Sequence, residues 1–325
     1  MLKTATETRG LVLSGPTMGS RWEVRVDDPL ADSDRARLQA ALQAAVDEVD
    51  AQMSTWQPDS ALMRLNAAPL NVWLPLPRAL LTVLAAGLSV SAATDGAFEM
   101  NMGASVRAWG FGPDPIDLSA IRAASAAPRI CATDALHLDE STCLARKTAP
   151  MSLDLSGIAK GYGVDRLTDT ARAQGLAHAL CAIDGEVRAL GGRRDGQPWA
   201  VGIDSPIHAE RGSHSVIALT DAAVATSGTY RHFIDIRGQR LAHTMNPTTG
   251  TPVVNSAASV TVLGQTCMIA DAMATALLVM GAKKGAALAA AQGLHSLFLV
   301  PQGQDLLASG TGTFSTPFTP APDRP

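Results

Sequence analysis

Met151–Asp165 reads MSLDLSGIAKGYGVD, and the fold turns on how this stretch is divided. Met151, Leu153 and Leu155 alternate with Ser152 and Asp154 at the period of two that a strand imposes. Ser156-Gly157 supplies turn chemistry, and Gly161, Val164, Leu167 and Ala171 then recur at the spacing of a helix packed on a sheet. The expectation is a strand, a tight turn and a helix, with Asp154 projecting from the strand's end. A helix start beside that end favours a phosphate. An ordinary β-turn-α corner would use the same residues.

Toward the N-terminus, Arg21–Asp27 alternates and reads as a strand entered from the Gly-containing turn Thr17–Ser20. Ser33 suits an N-cap, and Leu38, Leu42, Val46, Val49 and Met53 follow on one helical face. A second helix is expected from Pro77, burying Leu80, Leu81, Leu84, Leu88 and Ala92 before Asp95-Gly96 ends it. Ala97–Gly112 reads as a Gly-punctuated loop, followed by a short helix near Leu118–Ala124 and strands near Ala135–Leu138 and Cys143–Lys147. The C-terminal half is sheet-rich, with strands expected at Ala179–Ile183, Trp199–Ile203, Ser215–Ala218, Val224–Ser227, Arg231–Ile236, Ser259–Leu263 and Ser296–Val300. Two helices, Ile269–Met280 and Ala282–Gln292, are read between the last two strands. Residues 1–309 are expected to form one domain, which admits two lobes, and residues 310–325, rich in Gly, Thr and Pro, a disordered tail.

The 325 residues are 46% hydrophobic and 17% charged, enough to bury a sizeable core. A net charge of −4 argues against a general footprint for nucleic acid or anionic membrane. The four cysteines show no CxxC spacing and no paired histidines, which speaks against zinc and for free thiols. The apolar run Leu11–Leu13 is too short for a signal peptide, so the chain as given is expected in the cytoplasm, or in the periplasm if a targeting segment was removed. No membrane span is expected, because Asp271 and Lys283 bracket the best candidate, Ala272–Ala282.

Asp271 and Thr275 lie four apart in IADAMATALLVMG, so a helix would present their carboxylate and hydroxyl on one face. Such oxygen donors suit magnesium or calcium, and near a phosphate they favour Mg²⁺, which takes one or two carboxylates and completes its shell with water or phosphate. A solvated Asp and a Thr bonded to its own helix are the alternative. His243 enters the rigid loop Leu241–Pro252, a setting open to proton transfer or to a structural role. Ser227-Gly228-Thr229 is a polar turn that could bring amides to a ligand or close a hairpin. No Walker or dinucleotide-binding glycine pattern and no Gly-x-Ser-x-Gly elbow occurs.

Seven stretches in this order resemble the ApbE family of FAD:protein FMN transferases. They are TMGS (Thr17–Ser20), MSTWQPDSALMRLN (Met53–Asn66), GAF with WGFG (Gly96–Phe98 and Trp109–Gly112), LDLSGIAKGYGVD (Leu153–Asp165), ATSGTYR (Ala225–Arg231), HTMNPTTGTP (His243–Pro252) and ADAMATA (Ala270–Ala276). The resemblance implies an α+β fold related to the T-fold, with mixed or antiparallel sheets packed with helices and FAD in a cleft between lobes. It implies an enzyme that uses Mg²⁺ to cleave FAD, joins FMN through a phosphoester to a Thr or Ser hydroxyl of a flavin-accepting protein, and releases AMP. It further implies Mg²⁺ held by Asp271, Thr275 and the carbonyl of Gly157, with His243 as base for the acceptor hydroxyl. Met18, Trp56, Ala97, Phe98, Glu99, Asp154, Lys160 and Met245 would contact FAD.

Three features depart from the family pattern. Glu99 stands where an aspartate is common after Gly-x-Phe, Gly185-Glu186 stands where a Gly-Gly pair is common, and the export signal of many members is missing. Two other outcomes share the same parts: an FAD pyrophosphatase releasing FMN and AMP, and a flavin-binding protein without turnover.

Overall fold

The computed structural model describes residues 10–315 apart from 208–212, 231–232, 237–238, 255–256 and 304. It divides into two compact units, Met1–Asp47 with Lys160–Gly228 and Ser256–Pro325, and Glu48–Ala159 with Thr229–Asn255.

The first unit is built on eight strands: β1 (Leu11–Thr17), β2 (Ser20–Val26), β3 (Ala179–Ile183), β4 (Glu186–Leu190), β5 (Ala223–Gly228), β6 (Ser259–Gly264), β7 (His295–Gln302) and β8 (Asp305–Thr311). They neighbour one another in that order, and every pairing is antiparallel. Helices α1 (Asp32–Met53), α2 (Ala159–Ala173) and α3 (Cys267–Ala291) accompany them. Leu38, Leu42 and Val46 of α1 and Val164, Leu167 and Ala171 of α2 join Trp22, Val24, Ala179, Cys181 and Ile183 in one core. On the other face of β3, Leu180 and Ala182 pack with Trp199, Val201 and Leu219 of the hairpin Trp199–Asp204/Ser213–Leu219. Burial on both faces explains why β3 is apolar throughout rather than alternating.

The second unit contains helices Ala61–Ala67, Arg78–Ala93, Gly103–Ala108, Leu118–Ala126 and Ala132–Ala135. It also holds a small antiparallel sheet in the order Leu74–Pro75, Leu144–Lys147, Leu136–Asp139. Two hairpins follow, Phe233–Ile236 with Gln239–Ala242 and Met245–Asn246 with Thr251–Pro252. The α+β class with antiparallel sheets is as expected.

Several expectations need correction. Met151–Leu155 buries its odd-numbered side chains as predicted, but it is extended chain outside any sheet. Its polar backbone is met by two asparagines and by neighbouring loop backbone: Asn66 donates to Leu153 O (2.9 Å) and accepts from Leu153 N–H (2.7 Å), Asn101 Oδ1 accepts from Ser152 N–H (2.8 Å), Ser152 O accepts from Gly103 N–H (2.8 Å), and Asp154 N–H donates to Met100 O (2.8 Å). The loop Ala97–Gly112 contains the helix Gly103–Ala108, and β1, β4, β8 and the strand Gln239–Ala242 form where no strand is expected. The tail does not begin at Gly310: β8 runs to Thr311, and Phe314 packs with Ile203, Leu297 and Leu299. Its remaining residues, 316–325, and residues 231 and 232 of the strand read at Arg231–Ile236 lie outside the described residues. Helix α3 has the length and composition of a membrane span, but half of that span is buried and Asp271 lies within it.

Candidate functional site

The candidate residues fall in both units. Met18, Lys160, Asp271 and Thr275 belong to the first, and Trp56, Ala97, Phe98, Glu99, Asp154, Gly157, His243 and Met245 to the second.

In the first unit, Asp271 lies in the second turn of α3 and is buried, with 3% of its surface exposed. Its Oδ2 accepts the N–H of Gly161 at 3.0 Å. Gly161 is required there, because a Cβ would come within 2.4 Å of Cys267 O and 2.8 Å of Asp271 Cβ. One turn on, Thr275 Oγ1 lies 2.9 Å from Ser227 Oγ at the end of β5, so the carboxylate and hydroxyl share one face of α3. The Thr is bonded across to the sheet.

Lys160 donates to Glu186 Oε2 at 2.9 Å and lies 4.0 Å from Asp184 Oδ2. Burial pulls its pKa down, but Glu186, Asp271 and Asp184 outweigh burial and raise it, so it is a fixed cation. Burial and then the Glu186 carboxylate push Asp271 up to about 7, opposed by Lys160 and the Gly161 N–H. Three carboxylates thus gather around one lysine. In the sequence Glu186 stands out only as a departure from the family pattern, and no motif marks Asp184. Asp184-Gly185 is the two-residue turn between β3 and β4, and Asp184 adopts a left-handed φ of 51°. It accepts a hydrogen bond from Ser20 Oγ, beside the Met18-Gly19 turn that joins β1 to β2. Met18 is itself left-handed, at φ 47°, and its Cε lies where a side chain at position 163 would point, 2.9 Å from an added Cβ. Strained non-glycine residues of this kind collect at ligand sites.

In the second unit, Asp154 Oδ1 accepts Ser156 N–H at 2.9 Å, which shapes the turn holding Gly157. The Glu99 carboxylate accepts the N–H of Asn101 (2.7 Å) and the N–H of Ala132, at 3.1 and 3.2 Å to its two oxygens. It ties its own loop to the start of helix Ala132–Ala135, and burial raises its pKa against those amides. Phe98 and Met245 are buried, whereas Trp56 is 63% exposed. The His243 ring stands edge-on to Phe111, centroids 6.4 Å apart. Its loop is set by Asn246, whose Oδ1 accepts Thr248 N–H (2.9 Å) and whose carbonyl accepts Gly250 N–H (2.8 Å).

The donors suit a hard divalent cation rather than zinc. Among the described residues no cluster of three or more His, Cys, Asp or Glu side chains has the arrangement of a metal cage. A single buried carboxylate with a hydroxyl one turn away fits Mg²⁺, which leaves most of its shell to water and phosphate.

An eight-stranded antiparallel sheet accompanied by long helices, one of which carries the buried Asp271, defines an α+β protein. Residues 18–298 match the model of the ApbE family. The chain belongs to that family. It is 36% identical to "FAD:protein FMN transferase" of Vibrio cholerae over 89% of this chain and 86% of the relative, and 33% identical to the protein of that name in Klebsiella pneumoniae over 90% and 85%. Solved structures agree: "Flavin Transferase ApbE from Vibrio cholerae" aligns with a TM-score of 0.83 at 34% identity, covering 96% of this chain and 99% of that one. The flavinyl transferase ApbE of Pseudomonas stutzeri in its apo form aligns with a TM-score of 0.81 at 33% identity, covering 94% and 96%.

Proposed function

We propose that this protein is an FAD:protein FMN transferase that moves FMN from FAD to a Thr or Ser hydroxyl of a flavin-accepting protein. The observation that carries this reading is the buried Asp271 with Thr275 on the same face of α3, in a setting with more carboxylates than cations. Asp271, Thr275 and the Gly157 carbonyl would hold Mg²⁺. When bound, the ion would neutralise charge on the diphosphate of FAD.

The chain's own groups account for the rest. Lys160 supplies a fixed positive charge whose position is set by Glu186. Met18, Trp56, Ala97, Phe98, Asp154 and Met245 would bind FAD, and Glu99 would keep the Ala97-Phe98 loop in place through its bonds to Asn101 and Ala132. His243 would take the proton of the incoming hydroxyl. The hydroxyl oxygen bonds to the phosphorus of the FMN half, the bond from that phosphorus to the bridging oxygen breaks, and AMP departs with that oxygen. Water in place of the hydroxyl would give FMN and AMP.

The test is to incubate the protein with FAD, Mg²⁺ and candidate flavin-accepting proteins and look for flavin fluorescence that survives denaturation of the acceptor. Asp271→Ala should abolish labelling, and His243→Ala should lower it by about 10²–10⁴-fold while FAD binding is kept. An Asp271→Ala protein that still labels in millimolar Mg²⁺ would refute the metal assignment. Free FMN and AMP with no labelled acceptor would replace transfer by hydrolysis.

A further inference from the structure

The first turn of α3 needs partners for its free N–H groups, and Thr266, which precedes it, makes no side-chain cap. Asp165 of α2 meets two of them, from 102 and 103 residues upstream. Its Oδ1 accepts Cys267 N–H and its Oδ2 accepts Met268 N–H, both at 2.9 Å. Arg188 of β4 donates to Oδ1 at 2.7 Å, so the carboxylate is engaged from the sheet as well as from the helix. Asp165 is buried, 7% exposed, and has no part in the reaction described above.

One turn back along α2, Gly161 N–H bonds to Asp271 Oδ2. Helix α3 is therefore tied to α2 at two levels: Asp165 holds its first turn, and Gly161 holds the carboxylate one turn on. The ties run antiparallel, since the earlier α2 residue meets the later α3 residue. Two ion pairs of opposite sense seat α2 on β4 in turn, Lys160 with Glu186 and Asp165 with Arg188. A slip of α2 along the strand would bring like charges together. A turn of α3 by one residue would swing Asp271 by roughly 100° about the helix axis and take its carboxylate from Gly161.

We propose that Asp165, anchored by Arg188, is a positioning residue that fixes the height and rotation of α3 and so presents Asp271 and Thr275 to the divalent cation. This rests on the metal reading given above, in which Asp271 is a ligand. Outer partners that orient a metal ligand contribute about 10- to 100-fold to metal affinity.

The experiment uses the full chain with Asp165→Asn, Arg188→Gln and Asp271→Ala, and reads three quantities. They are Mn²⁺ binding to the protein without FAD, the Mg²⁺ concentration giving half-maximal transfer, and the melting temperature in chelator. Asp165→Asn is expected to weaken Mn²⁺ binding and raise the half-maximal Mg²⁺ concentration by about tenfold or more, with turnover recovered at saturating Mg²⁺. Wild-type Mn²⁺ binding and Mg²⁺ dependence in Asp165→Asn, with binding lost in Asp271→Ala, would overturn the positioning role and leave the metal reading standing. Mn²⁺ binding retained in Asp271→Ala would overturn the metal reading and this inference with it. If Asp165→Asn does not fold, Arg188→Gln decides by the same criteria, because it keeps the carboxylate and both amide bonds. A loss of turnover that excess Mg²⁺ does not recover, with unchanged Mn²⁺ binding, also counts against positioning.

Discussion

At Asp271 the protein keeps a carboxylate where burial and the neighbouring Glu186 both disfavour its charge. Its pKa is raised from 3.8 to about 7, so the folded state holds a proton that the unfolded chain releases. The stability from this group is complete below the unfolded value and is lost as pH rises through the folded one. In chelator, thermal melting from about pH 5 to about pH 8 should show stability falling in this window, and Asp271→Asn should flatten that fall. An equal slope in both proteins would remove Asp271 as its source. Divalent cation should restore stability at the high-pH end of the wild-type curve, because it binds the ionised form. The four-residue spacing of Asp271 and Thr275 was readable in the sequence because a helix converts it directly into a shared face. Asp165 was not, because its partners are backbone N–H groups and an arginine distant in the chain. The bonds of Glu99 to Asn101 and Ala132 were not legible either, because composition cannot show which backbone a carboxylate meets.

At the scale of elements, the stretch Met151–Asp165 shows what periodicity can and cannot settle. Alternation marked the buried residues Met151, Leu153 and Leu155 correctly, since any extended chain points its side chains to alternate sides. It could not show that the hydrogen-bonding partners are Asn66, Asn101 and the backbone of Met100 and Gly103 rather than a strand. Asn66→Ala removes both bonds to Leu153 and should cost about 1–3 kcal/mol, read from urea unfolding; a change within error would mean that these two bonds add nothing to stability. The two helices read at Ile269–Met280 and Ala282–Gln292 correspond to the two arms of α3. They meet at Gly281, whose φ of 75° and ψ of 168° is open to glycine alone. Gly281→Ala should therefore destabilise by about 1–3 kcal/mol, and an unchanged unfolding midpoint would contradict the kink. Strand β1 escaped notice because Gly15 and Pro16 interrupt its β-like composition, and β4 because Glu186 is buried in an ion pair.

At the scale of the molecule, strong apolar periodicity made the long helices readable, and ordered motifs made the family readable. Two lobes were expected, but the boundaries of the two units were not readable, because each is assembled from separated segments of the chain. The candidate residues are likewise scattered: Asp271 and Lys160 belong to the first unit, Asp154 and His243 to the second. Nothing in local composition links them, and only their order along the chain does. The acceptor is the part least expressed in these residues, and it is where the functional reading is most exposed to test. Mass spectrometry of a flavin-accepting protein after incubation with this protein, FAD and Mg²⁺ addresses it directly. The account predicts an acceptor peptide heavier by one FMN less water, modified on a Thr or Ser, with AMP formed in equal amount. Unmodified acceptors alongside intact FAD, or alongside free FMN and AMP, would contradict it.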